Sequence, residues 1–212
     1  MSAFLAPIHF WLYNKIKLME DIEKKIIQTV DLENIQALSE ETQKEIAPFL
    51  PEASLEAIID QGNIHGWLQN KITSVERRQA LLIKKIESTG YPGIYDLTES
   101  IYENFGHDAA QNAAIQNSND LNDIFNKLNN YLLEGMPCDR VNKVVNNSES
   151  ELSWEITRCV HTDNWSTVGV PVERYYAFRA AFIKGFVTSA NPSLSYRYTN
   201  DDQQLSVIAK EK

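Results

Sequence analysis

Over the first two-thirds of the chain, apolar residues recur every three to four positions, the spacing that gives a helix one buried face. Pro7 suits the first turn of a helix running to about Val30, where a missing amide hydrogen costs nothing. A second, shorter helix is expected over 32–47, closed by Pro48 and Pro51. Residues 52–61 suit a helical turn or two, ended by Gly62 in a left-handed cap. Asn63 then fits as the N-cap of a helix from Ile64 to about Ser88. Residues 94–105 read as a helix stopped by Gly106, and 119–134 as one ending at Gly135. The segment 136–150 reads as a connector, in which RVNKVV makes a short helical turn.

The period changes at 151. In ELSWEITRCVH, Leu152, Trp154, Ile156, Arg158 and Val160 alternate with Ser153, Glu155, Thr157, Cys159 and His161, and a period of two predicts a strand. Residues 171–189, rich in aromatics and opening with Pro171, form the last helix. The segment SLSYRYTNDDQQLSVIAKEK supplies one partner strand and then a polar tail from about 200. The expected fold is mainly α: one helical-bundle domain over 1–212, with a small irregular or β element near 151–161 and no parallel sheet.

One phrase is written twice. IHFWLYNKI at 8–16 and IHGWLQNKI at 64–72 share seven of nine residues at an offset of 56, and the match extends to Glu20 and Glu76. Two related helices predict an internal pseudo-twofold. With one helix between them, an up-down-up path makes the copies parallel and brings His9 and His65 together; an antiparallel pair would set His9 against Glu76 and Glu20 against His65. Each histidine sits in a first helical turn, where the positive end of the helix dipole disfavours imidazolium. That leaves the neutral ring a metal needs. The competing explanation is packing, with the histidines bonded across a symmetric contact and Trp11 and Trp67 filling matched gaps.

Composition narrows the classes. A chain of 212 residues buries a sizeable core, and 43% hydrophobic with 23% charged residues is ordinary for a soluble protein. A formal charge of −9 argues against nucleic acid as a partner. Arg77–Arg78 and Lys84–Lys85 read as helix-face pairs rather than basic clusters. No run approaches the ~18 apolar residues that span a bilayer, so no membrane role is expected. The N-terminal apolar run passes straight into a charged helix, unlike a cleaved signal peptide. Cys138 and Cys159 are too few for a disulfide scaffold, and thiols in a reducing, cytoplasmic setting are the expectation.

Two constellations carry candidate chemistry. On a strand, Cys159 and His161 would share a face at about 6 to 7 Å, within reach of one metal. With Cys138 and His9 or His65 they would form a mixed thiolate and imidazole site for zinc or iron. Glu20 and Glu76 are then the candidate catalytic bases for metal-assisted hydrolysis or redox chemistry. His107, after a helix stop, reads as a surface residue. In the last helix Arg179 lies among Tyr175, Tyr176, Phe178, Phe182 and Phe186. A buried arginine needs a carboxylate, for which Glu20, Glu76 and Asp163 are candidates, or it grips an anionic ligand or cofactor. There is no glycine-rich phosphate loop, G-x-S-x-G or HExxH. Transition-metal binding is therefore the leading expectation. Its rivals are a non-catalytic homodimeric interaction module using the repeated Trp/Asn face, and a thiol redox sensor built on the two cysteines.

Overall fold

A computed structural model describes residues 5–200 and 204–210, so residues 201–203 and 211–212 of the expected tail and 1–4 of the N-terminal run lie outside the described residues. Along the chain run α1 (Pro7–Thr29), α2 (Ile35–Glu45), α3 (Leu55–Ile58), α4 (Ile64–Ser88), α5 (Ile94–Asn112) and α6 (Leu121–Leu128). After a 3₁₀ turn at Pro137–Asp139 come β1 (Asn142–Asn147), β2 (Glu151–Ile156), α7 (Thr162–Thr167), α8 (Val172–Ala190), β3 (Leu194–Asn200) and β4 (Gln204–Lys210). The described residues are thus mostly helical with a small four-stranded antiparallel sheet. None of the described helices is long and apolar enough to cross a membrane. The chain divides into two compact units, Met1–Ile94 with His161–Val172, and Tyr95–Val160 with Glu173–Lys212.

In the first unit α1 and α4 lie side by side and run in the same direction. Their first turns meet at His9 and His65, and further along Glu23 of α1 meets Arg78 of α4. Leu12, Ile16, Met19 and Ile26 of α1 and Leu68, Ile72, Val75 and Ile86 of α4 are the buried stripes that helical spacing predicts. The repeated Trp and Lys have a local explanation. Four residues apart, they share a helix face, and the Lys15 ammonium lies 3.3 Å from the Trp11 ring centre and the Lys71 ammonium 5.3 Å from that of Trp67. Asn63 caps α4 as expected, its side-chain oxygen accepting the Gly66 N–H. Gly62 is not a left-handed cap: its N–H donates to the Asp60 carboxylate, so an aspartate turn ends α3.

The second unit departs further from the expected pattern. Gly106 does not stop a helix; α5 passes through it to Asn112. A Cβ on Gly106 would overlap the Phe182 carbonyl, and one on Gly185 the Glu103 carbonyl, so both glycines let α5 and α8 touch backbone to backbone. RVNKVV is not a helical turn but the start of β1, a mostly exposed edge strand. β2 ends at Ile156, short of Cys159 and His161. On the β1 side its partner begins only at Asn142, since 137–139 form the 3₁₀ turn and Arg140 takes a left-handed φ of 49°. The segment after 203 is not a tail: it is β4, seated between β2 and β3 in the order β1-β2-β4-β3.

Candidate ligand site

Strand register builds one side of the site. Trp154 pairs with Ser206 and Ser206 with Tyr198, while Leu152 pairs with Ile208 and Ile208 with Tyr196. Side chains alternate along a strand, so these six share one face of the sheet. α8 supplies the other side, because Tyr175 and Tyr176 lie four and three residues before Arg179 and each neighbours it on the helix surface. The Tyr176 and Tyr198 rings stack at 6.1 Å, and Trp154 stacks on Tyr196 at 6.3 Å.

Arg179 sits at the centre, only 2% exposed. Its Nε donates to the Glu134 carboxylate at 2.5 Å, and Nη2 reaches Asn142 Oδ1 at a weak 3.5 Å. Its Nη1 is buried and finds no acceptor among the described residues. Neither does the indole N–H of Trp154, whose side chain is fully buried. Buried donors of this kind are rare, because each forfeits a bond it makes freely in water.

The tyrosines around this centre are held neutral. Burial, with the neighbouring Cys159 as the next cause, pushes the Tyr176 hydroxyl far above its ordinary range. Burial takes Tyr198 up to about 12, with the Arg179 charge pulling the other way. Burial also raises Tyr196, whose hydroxyl bonds Ser206 Oγ at 3.1 Å. Arg179 keeps its charge despite burial, because Glu134 and the nearby tyrosine oxygens favour the cation. The site grades outward: Cys159 and Tyr198 are only partly buried, Arg179 fully.

The other expected site residues fall elsewhere. His9 lies at the third position of α1, and its Nδ1 accepts the Ala6 N–H at 3.1 Å, closing the helix start. The ring of His65 is exposed, 5.5 Å from that of His9. A metal on His9 would first have to displace the Ala6 N–H. His161 is no strand residue; it precedes α7, is completely buried, and its Nδ1 lies 3.1 Å from Glu76. The second Glu76 oxygen accepts from Asn164 Nδ2 at 3.1 Å. Glu20 accepts from the Leu50 N–H and from Arg78 Nη2. Both glutamates therefore anchor neighbouring segments. Cys138 is an exposed thiol in the 3₁₀ turn, and Cys159 is a half-buried cysteine after β2 that forms no disulfide. His107 is exposed on α5. Among the described residues no group of three or more His, Cys, Asp or Glu side chains is placed to hold a metal ion, so the five candidate ligands do not gather.

Three features escaped sequence reading. The carboxylate at Arg179 is Glu134, not Glu20, Glu76 or Asp163, and its only signal was an acid between the apolar LL and Gly135. Trp154, Tyr196 and Tyr198 belong to the site because two strands align them, which no local spacing reveals. Arg78 is no surface pair member: it is 1% exposed and binds Glu20, Glu23 and two carbonyls. A cleft of about 540 Å³ opens beside it, lined by Tyr13, Lys17, Glu20 and 50–54. No family model, curated protein or solved structure matches the chain.

Proposed function

We propose that the second unit binds a small ligand through a carboxylate, received by Arg179. The observation that carries this reading is the Arg179 Nη1 donor, fully buried and without an acceptor, on a guanidinium already held in place by Glu134. A guanidinium offers two planar edges that match a carboxylate, and here Glu134 occupies Nε alone. The stacked tyrosines and Trp154 give the apolar walls typical of small-molecule sites, and the Trp154 N–H supplies a second donor. The partly buried side at Tyr198 is the way in. The repeat in the first unit fits a scaffold role in this reading, with His9 closing the start of α1 and the two lysines lying over the tryptophan rings.

Thermal unfolding in the presence of formate, acetate and short dicarboxylates tests the proposal, with chloride at equal ionic strength as the reference. A ligand at a hundred times its dissociation constant stabilises by about 2.7 kcal/mol, which is several degrees in Tm for a domain of this size. At least one carboxylate is expected to give that saturable rise, and Arg179→Lys, which keeps the charge but loses the planar fork, is expected to abolish it. Identical Tm in every carboxylate and in chloride would overturn the assignment.

A further inference from the structure

We infer that the cleft between α1 and residues 50–54 binds a free α-amino acid with an apolar side chain, its ammonium on Glu20 and its carboxylate on Lys17 and Tyr13. The cleft lies wholly within the first unit and does not draw on Arg179. Its volume of about 540 Å³ falls within the roughly 300–1,000 Å³ of small-molecule sites. Two buried polar side chains line it with bonding capacity left over. Glu20 is 4% exposed; its Oε1 accepts from Arg78 Nη2, and both its oxygens share the single Leu50 N–H at 3.1 Å. A carboxylate has about four acceptor positions, so Oε2 can take a further donor. Tyr13 is 5% exposed, and its hydroxyl reaches the Ala53 carbonyl only at a marginal 3.5 Å. Burial, then the Glu20 charge, keeps that phenol protonated, so it stays a donor.

The third group is Lys17, which is exposed and makes no hydrogen bond or ion pair among the described residues. Tyr13, Lys17 and Glu20 follow one another on α1 at spacings of four and three, so they form one stripe with neighbours roughly 5–6 Å apart. Two donors thus stand at one end of the stripe and a buried acceptor at the other. The heads of an α-amino acid, joined through a single carbon, match that order. The charge balance behind the cleft favours the same orientation. Arg78 serves both Glu20 and Glu23 with one charge, so a ligand ammonium adds a cation where buried acids are in excess. Asp21 and Lys24, also on the wall, already pair with each other at 3.6 Å. Leu50, Pro51 and Ala53 line the opposite side and select an apolar side chain.

Isothermal titration calorimetry of the full chain with L-valine, L-leucine, L-methionine and L-phenylalanine tests the inference, at about pH 6.5, where an amino-acid amide also keeps its ammonium. At least one is expected to bind saturably. Its primary amide, lacking the carboxylate, and its N-acetyl derivative, lacking the ammonium, should each bind about tenfold more weakly or worse. Lys17→Ala removes an exposed side chain without a partner and should leave Tm unchanged. It should weaken the free acid by about tenfold and leave the amide as it was. Tyr13→Phe keeps the ring and should also weaken the free acid. No binding by any of the amino acids, or an amide or N-acetyl acid that binds as tightly as the free acid, would overturn the inference. So would binding that survives Lys17→Ala and is lost in Arg179→Lys, which would put the acid in the second unit instead.

Discussion

Two buried arginines differ in what satisfies them. Arg78 engages all three guanidinium nitrogens: Nε with Glu23, Nη1 with the Ala47 and Pro48 carbonyls, Nη2 with Glu20, while its plane lies 4.2 Å from the Phe49 ring. Arg179 leaves one nitrogen over. The first arrangement is a fastening, and the second leaves a buried donor without an acceptor among the described residues. Arg78 also serves two carboxylates with one charge, and burial outweighs its pull on Glu23, holding that group up at about 7. Because the folded pKa lies above the ordinary 4.5, Glu23 favours folding at low pH. That contribution is lost as pH rises from about 4.5 through 7, at a limiting slope near 1.4 kcal/mol per pH unit. Urea titrations of the wild type and Glu23→Gln across pH 5 to 8 check it: the stability difference should move in favour of the variant as pH rises. Arg78→Ala should cost about 3–5 kcal/mol, since it strands two buried acids, and more at pH 8 than at pH 5. A variant insensitive to pH, or nearly neutral, would refute the account. The sequence pointed to Arg179 through its aromatic neighbours but hid Arg78, whose adjacent Arg77 made it look like surface.

At the scale of elements, the long helices and the strands β2 and β3 were legible, while β1, β4 and α7 were not, and the helix expected over 119–134 is only Leu121–Leu128. α1, α4 and α8 announce themselves by periodic apolar stripes, and their ends fall within a residue or two of expectation. β4 carries Ser206, Val207 and Ile208, all buried, so the inner strand shows no alternation for a reader to find. β1 is polar and exposed on most positions and looks like loop. Gly106 misled for a different reason. Glycine serves both as a helix terminator and as a close-contact residue, and only the α5–α8 approach tells which. Gly106→Ala separates the two uses. In an exposed helix alanine adds about 1 kcal/mol of stability; here it should remove about 2–4 kcal/mol by driving a methyl into the Phe182 carbonyl. Denaturant midpoints decide, and a stabilised variant would contradict the close contact.

For the whole molecule, the units are not consecutive stretches. The first takes in His161–Val172 from beyond the second unit's β2, and through it α7 reaches Glu76 and the Val168 carbonyl reaches Lys84 at 2.8 Å. No periodicity signals such a return, which is why His161 read as a strand ligand. A fragment of residues 5–94 should therefore fail to fold stably by circular dichroism, its Glu76 carboxylate unmatched, and should gain helix when a peptide of residues 159–172 is added. A cooperative melt of the fragment alone would show that α7 is dispensable.

The same return has a consequence during synthesis. Glu76 and His161 are 85 residues apart. At the ribosomal pace of roughly 5 to 20 residues per second, the buried carboxylate waits several seconds for its partner. Over that interval the nascent α4 cannot settle its inner face, and the first helices to emerge are among those that finish late.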